Sequence, residues 1–182
     1  AALELGDLSS AESAFRQARL LEPGRGEWAT GLLRTLVRAE DYRPAERLAR
    51  ERLRADPEDP AATRDLARVL TKLGRHREAA VLLSGLQLAE TATAGDLRAL
   101  GDLLLREELH GPAMLAYGDS LALENFPADR AAAIGRALAR AGRGAEAVRF
   151  LDLVGPALSP ADALESSELL AIRGVANLSA GD

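Results

Sequence analysis

The sequence predicts an all-α protein, and three observations carry this prediction. Ala, Leu, Arg and Glu dominate the 182 residues, and all four have strong helix propensity. Runs of Val, Ile, Thr or Tyr, which favour strands, are almost absent. Alanine also recurs at a fixed interval of 34 residues, at Ala11, Ala45, Ala79, Ala113 and Ala147.

The composition excludes several classes of protein. With 47% hydrophobic and 28% charged residues, the chain suits an ordered protein rather than a disordered tail. No apolar stretch approaches the roughly 18 residues that a membrane helix needs, so we expect no membrane span in this segment. The absence of cysteine excludes disulfides, thiolate zinc sites and thiol catalysis. A net charge of −5 and 3% aromatic content argue against nucleic acid as a partner.

The interval predicts two helices in each repeat. If the recurring alanine is numbered position 20, position 7 holds Leu32, Leu66, Leu100 and Ile134, and position 8 holds Leu33, Ala67, Gly101 and Gly135. Position 11 is always Leu, so positions 7, 8 and 11 form one apolar face of a first helix. Small residues at positions 8 and 20 let the first and second helices approach closely, and we take Gly101 and Gly135 with the five alanines as structural positions.

Turn residues predict where the helices begin and end. Position 15 is Gly in Gly74 and Gly142, where a turn between helices favours a left-handed backbone. Pro57 falls at position 32, where it would stop the second helix. Asp59 then predicts an N-cap, with Pro60 as the first helical residue.

This pattern resembles the tetratricopeptide repeat family, which has Leu-Gly, aromatic, Ala, aromatic and Pro signals over 34 residues. The resemblance implies a right-handed superhelical solenoid of antiparallel helix pairs, with about five 34-residue repeats. Three features depart from the family pattern. Trp28 lies one residue before the usual Trp position, and His76 and His110 replace a common Tyr at position 17. The last two full repeats also lack the terminal Pro at its usual place.

The register predicts a single array over residues 1–182. Its parts are a partial repeat 1–25, full repeats 26–59, 60–93, 94–127 and 128–161, an insertion 162–166 and a partial repeat 167–182. Neither end has the polar capping helix that a repeat array needs. We therefore expect a fragment of a longer array.

No catalytic constellation is present in the sequence. The phosphate-loop, HExxH and GxSxG patterns are missing. His76 and His110 could be read as a metal pair, but nothing with ligand spacing accompanies them, so packing residues are expected. Glu107 and Glu108 are expected to be solvated, because neighbouring residues on a helix do not face each other. The sequence predicts a non-enzymatic protein without metal or cofactor.

Basic residues recur at positions 5, 9 and 13 of the first helices, which in the resembled family line the concave groove. Nine of these twelve positions are basic, in an acidic chain: Arg34, Arg38, Arg64, Arg68, Lys72, Arg98, Arg106, Arg136 and Arg140. Like charges four residues apart destabilise a helix, and such conflicts often mark function. The hypothesis is a groove for an anionic partner. The alternative is helix-end electrostatics, in which a cation favours the macrodipole and nearby acids neutralise the ladder.

The predicted function is a protein-interaction scaffold that binds an acidic peptide or protein segment in this groove. One alternative is a periplasmic scaffold of a bacterial exopolysaccharide synthesis and export machine, where an anionic polysaccharide could be the partner. A second alternative is a regulatory repeat domain attached to a catalytic domain outside this segment. The sequence leaves open the partner, the oligomeric state, the total repeat number, and the choice between bacterial cytoplasm and periplasm.

Overall fold

The computed structural model describes residues 7–157, 171–175 and 178, which form helices joined by short connections, with no strand among them. The predicted all-α class is confirmed. The α-helices of the main described range are α1 (Leu8–Leu21), α2 (Gly26–Arg38), α3 (Tyr42–Ala55), α4 (Pro60–Lys72), α5 (His76–Leu88), α6 (Ala94–Arg106), α7 (His110–Leu123), α8 (Ala128–Arg140) and α9 (Gly144–Val154). A short 3-10 helix, Gly155–Ala157, follows α9, and residues 171–175 are again helical. None of the described helices combines the length and the hydrophobicity needed to cross a membrane.

The chain divides into two compact units, residues 1–91 and 92–182. The predicted insertion 162–166 lies outside the described residues, as do residues 1–6 and most of the partial repeat 167–182. The single array over residues 1–182 stays a prediction.

The helices recur with the period of the sequence. The first helices α2, α4, α6 and α8 begin at residues 26, 60, 94 and 128, and each has 13 residues. Each is joined to the second helix of its pair by three residues, a connection short enough to place the two helices antiparallel. The α4 start is as predicted, because the Asp59 carboxylate accepts a hydrogen bond from the Ala61 amide at 2.8 Å and Pro60 is the first helical residue. A capping box between Thr93 and Asp96 starts α6.

Every first helix ends in the same left-handed turn. After α2, the Glu40 amide donates to the Val37 carbonyl at 3.2 Å and the Asp41 amide donates to the Leu36 carbonyl at 3.0 Å, which is a Schellman motif. The residue at position 15 has positive φ in all four turns, at Glu40 (59°), Gly74 (75°), Glu108 (61°) and Gly142 (73°). The same turn therefore forms even where this position holds glutamate, a residue for which positive φ is unfavourable.

Small residues lie where the two helices of a pair meet. The five recurring alanines are 0 to 3% exposed. A Cβ on Gly101 would overlap the Tyr117 ring, and a Cβ on Gly135 would lie 3.2 Å from Cδ2 of Leu151. The missing side chain at Gly101 is therefore the space that the Tyr117 ring of α7 fills.

Aromatic packing organises the second unit. Tyr117, Phe126 and Phe150 are at most 2% exposed and meet edge to face, with ring centroids 5.1 to 5.7 Å apart. The Tyr117 hydroxyl donates a hydrogen bond to Asp102 at 2.8 Å. Burial raises the pKa of Tyr117, and the Asp102 carboxylate raises this pKa further, so the hydroxyl keeps its proton.

An ion network joins α3 to the start of α5 in the first unit. The Glu46 carboxylate accepts hydrogen bonds from Arg50 at 2.8 Å and from Arg75 at 2.5 Å. Arg75 also pairs with Glu78 at 2.5 Å. The hydrogen bond from Arg50 is the main cause that holds the pKa of Glu46 below its ordinary value, so this carboxylate stays charged at neutral pH.

Two alanine substitutions test the close approach of helices. We expect Gly101→Ala to lower the free energy of unfolding by about 1–3 kcal/mol, because the new Cβ overlaps the buried Tyr117 ring. Gly85→Ala is the matched control, since Gly85 is exposed within α5 and a Cβ there meets nothing within 4 Å. This control should raise the unfolding free energy by about 0.5–1 kcal/mol. Urea denaturation of both variants measures the difference, and equal effects would contradict the packing argument.

Relief of backbone strain should stabilise the turn after α2. Glu40→Gly is expected to raise the unfolding free energy by about 0.5–1 kcal/mol, because glycine adopts positive φ without steric cost. Gly74→Ala, at the same turn position after α4, should have the opposite sign and similar size. Thermal and urea unfolding provide the measurement. A destabilised Glu40→Gly variant would show that the glutamate side chain matters more than the backbone conformation.

Candidate functional site

Eight of the nine basic groove residues lie on the first helices away from their buried faces, and Arg98 is the exception. On α4, the buried residues are Ala62, Leu66, Ala67, Val69 and Leu70, whereas Arg68 and Lys72 are exposed and Arg64 is half-buried. The spacing of four residues places Arg64, Arg68 and Lys72 along one side of this helix. Across all four first helices the exposed basic residues are Arg34, Arg38, Arg68, Lys72, Arg106 and Arg140.

Four of the nine cations make no hydrogen bond or ion pair within the described residues: Arg34, Lys72, Arg106 and Arg140. Others are engaged locally. Arg68 lies 3.6 Å from an Asp65 carboxylate oxygen, and Arg64 donates to the Thr91 carbonyl at 3.5 Å. Arg38 and Arg136 also have partners. Among the described residues, each of α2, α4, α6 and α8 therefore carries one unpaired groove cation.

Arg98 is buried, although the sequence predicted it as a residue of the groove. Its side chain is buried, with the residue 8% exposed, and it donates to Glu124 at 2.8 Å and to the Asn125 carbonyl at 3.4 Å. The guanidinium also lies 5.8 Å from the ring centre of Phe126. Arg98 thus fastens α6 to the connection between α7 and α8, and its charge is neutralised there.

Asp102 is the one acid among the twelve groove positions, and its charge is already engaged. It accepts the Tyr117 hydroxyl hydrogen bond at 2.8 Å and pairs with Arg130 of α8 at 2.5 Å. Because Arg130 neutralises the Asp102 carboxylate, Asp102 does not neutralise the charge of Arg106, which lies one turn further along α6.

An apolar cleft of about 390 Å³ lies beside Arg106 in the second unit. Apolar side chains of α6 and α8 line it, among them Leu105, Ile134 and Ala137. Two acids, Asp102 and Glu108, also line it, and they pair with Arg130 and Arg143. The sequence interpretation missed this cleft. Its signal is the small residue Ala137, which stands where the two preceding repeats have Val69 and Leu103 and leaves space between the helices.

A second cleft of about 310 Å³ lies on the other side of α8. Arg136 and Arg140 stand at its edge, and its apolar part is formed by Ala139 with Ile172 and Val175. Val175 is 58% exposed, so this apolar surface is open to solvent. Cations and apolar surface therefore occur together on both sides of α8.

The two histidines occupy equivalent places as the first residues of α5 and α7. Nδ1 of both His76 and His110 is buried without a hydrogen-bond partner in the described part of the chain. Nε2 of His110 contacts the Arg143 guanidinium. Within residues 7–157, 171–175 and 178, no group of three His, Asp or Glu side chains is arranged to hold a metal.

Comparison with known proteins agrees with the helix pairs. Residues 36–101 match the family profile described as a tetratricopeptide repeat. This part of the chain is therefore similar to tetratricopeptide repeats. Such repeats generally serve as non-catalytic scaffolds that bind protein or peptide partners. No curated protein sequence matches the chain.

Solved tetratricopeptide repeat structures share the fold at low sequence identity. MamA from Desulfovibrio magneticus is 19% identical, with a TM-score of 0.71 over 85% of this chain and 88% of that chain. A tetratricopeptide repeat protein from Parabacteroides merdae is 17% identical, with a TM-score of 0.73 over 99% of this chain and 70% of that chain. YrrB, described as having an unusual peptide-binding site, is 17% identical, with a TM-score of 0.64 over 94% and 95%. At these identities the likeness establishes the fold.

The burial of Arg98 predicts a structural rather than a ligand-binding role. Arg98→Ala should lower the unfolding free energy by about 1–3 kcal/mol, because Glu124 loses its charged partner and Phe126 loses packing. Arg106→Ala is the matched control on the same helix, and its exposed, unpaired side chain should change stability by less than about 0.5 kcal/mol. Urea denaturation compares the two. An Arg98→Ala variant as stable as the unaltered chain would contradict the structural role and leave Arg98 as a candidate groove residue.

Proposed function

We propose that this tetratricopeptide repeat chain is a non-enzymatic scaffold whose first helices bind an acidic peptide or protein segment. One observation carries the proposal: Arg106 and Arg140, which have no partner among the described residues, stand at the edges of apolar clefts beside α8. A segment with both carboxylates and aliphatic side chains would satisfy the cations and cover the apolar surface at once.

Electrostatics supports an anionic ligand. Arg140 of α8 is exposed and has no hydrogen bond or ion pair among the described residues, so a ligand carboxylate could pair with it. Arg34 and Lys72 provide further unpaired cations on α2 and α4 of the first unit. Binding should therefore weaken as salt concentration rises, because these charges are exposed.

The apolar clefts favour a peptide over a polysaccharide. An anionic polysaccharide, as in the alternative of an exopolysaccharide export scaffold, could use the same cations. Such a polysaccharide, however, has no aliphatic side chains to bury against Leu105, Ile134 or Ile172. The peptide-binding site of YrrB, a protein with this fold, supports the same choice.

Charge reversal of unpaired groove cations tests the proposal. The groove variant carries Arg34→Glu, Lys72→Glu and Arg106→Glu, and it should lose the partner that the unaltered chain captures from source lysate. The matched control carries Arg25→Glu, Arg77→Glu and Arg149→Glu, which change the net charge equally but lie outside the groove positions and outside α3. Mass spectrometry identifies the captured protein, and titration of its acidic segment as a synthetic peptide measures affinity. Equal affinity for the groove variant and the unaltered chain would refute groove binding, and a linear polyuronate that competes with the peptide would favour the polysaccharide.

A further inference from the structure

The second helix α3 carries a basic surface that the groove does not include. It contains five arginines and two glutamates: Arg43, Arg47, Arg50, Arg52, Arg54, Glu46 and Glu51. Both glutamates are engaged, since Glu46 accepts from Arg50 and Glu51 pairs with Arg19 of α1 at 2.9 Å. Arg52 pairs with Asp65 at 2.5 Å.

Three arginines of α3 are left without an ion pair among the described residues: Arg43, Arg47 and Arg54. All three are exposed. Arg43 and Arg47 are four residues apart, so they repeat the like-charged spacing found on the first helices. Local charge on this side of the first unit is therefore positive, although the chain has a net charge of −5.

A cleft of about 520 Å³ lies beside one of these arginines, Arg47, and is lined by residues of α1, α2 and α3. Leu32, Leu36 and Leu48 form its floor, and each is at most 5% exposed. Leu20 stands at its edge and is 83% exposed. The volume falls within the range of about 300–1,000 Å³ that is usual for ligand sites.

Arginines surround the mouth of this cleft. Arg16, Arg19 and Arg47 line it together with the single acid Glu51. Arg16 pairs with Glu12 at 2.7 Å and Arg19 pairs with Glu51, so Arg47 is the rim arginine without an ion pair in the described part of the chain. An apolar floor with one unpaired arginine at its rim complements a carboxylate next to an aliphatic side chain.

The cleft and the groove lie on opposite sides of α2. Leu32 and Arg34 are two residues apart, which is about 200° around a helix. Leu36 and Arg38 have the same relation one turn later. A ligand in the cleft therefore leaves Arg34 and Arg38 accessible, and occupancy of one site does not depend on the other.

We propose that this cleft is a second binding site, for an acidic segment of a protein partner that inserts an aliphatic side chain onto Leu32, Leu36 and Leu48. Carboxylates of the segment pair with Arg43, Arg47 and Arg54 along α3. The recessed floor selects an inserted side chain over a flat anionic membrane surface. The proposal stands on the first unit alone and does not require the groove to bind anything.

A defined peptide tests the second site. The probe is an acetylated ten-residue peptide of alternating glutamate and leucine, titrated into the full chain while methyl NMR follows Leu32, Leu36 and Leu48. We expect saturable shifts of these methyl groups. The variant with Arg43→Glu, Arg47→Glu and Arg54→Glu should weaken binding at this site about tenfold or more. Leu20→Ser, at an exposed position, should weaken it about tenfold.

The groove variant serves as the control for location. With Arg34→Glu, Lys72→Glu and Arg106→Glu, the affinity reported by the three floor leucines should stay within about twofold of the unaltered chain. Unchanged affinity in the α3 variant would overturn the proposal, as would an equal affinity for a peptide with serine in place of leucine. Vesicles of phosphatidylglycerol that bind through α3, while the peptide shifts none of the three leucines, would replace the peptide site with a membrane surface.

Discussion

The structure depends on one steric constraint, the close approach of two helices at a residue that must be small. Ala45, Ala79, Ala113 and Ala147 are all 0% exposed, at the same place in successive helix pairs. Because the second helix is fixed against the first at this point, large residues such as Leu70 and Tyr117 are directed into the remaining space. The same contact decides which side of each first helix is covered and which side is left for a ligand.

The constraint also explains why the turns tolerate unfavourable residues. Helix packing sets the direction in which the chain must leave α2 and α6, and a left-handed residue is the shortest way to reverse it. Gly74 and Gly142 adopt this conformation freely, whereas Glu40 and Glu108 adopt it because packing on either side requires it. Tertiary packing therefore overrides local backbone preference at these two glutamates.

The sequence predicted the helix pairs well because their signals are local and repeated. Asp59 and Pro60 indicate a helix start within two residues, and a 34-residue period repeats its evidence in each pair. The site was predicted less well because a charge depends on partners elsewhere in the chain. Arg98 looks like Arg64 in the sequence, yet Glu124 and Phe126, 26 and 28 residues later, bury and neutralise it. The sequence did not predict the clefts because a cleft forms where a residue is smaller than its counterparts, as at Ala137. A pattern of large apolar residues predicts which residues pack together and not where space is left between them.

Net charge is a poor guide to what such a surface binds, and the reason is the range of the interaction. At physiological salt, screening limits the interaction between exposed charges to a range of about 8 Å. A ligand therefore interacts with the local cluster of charges and not with the net charge of −5. Many acids of this chain are paired with particular arginines, as Glu46 is with Arg50 and Asp102 is with Arg130. The arginines left without an acid then set the local sign. Where they border an apolar cleft, the proposed ligand offers carboxylate and aliphatic groups together, because a simple anion or a simple hydrophobic segment would match only part of such a surface.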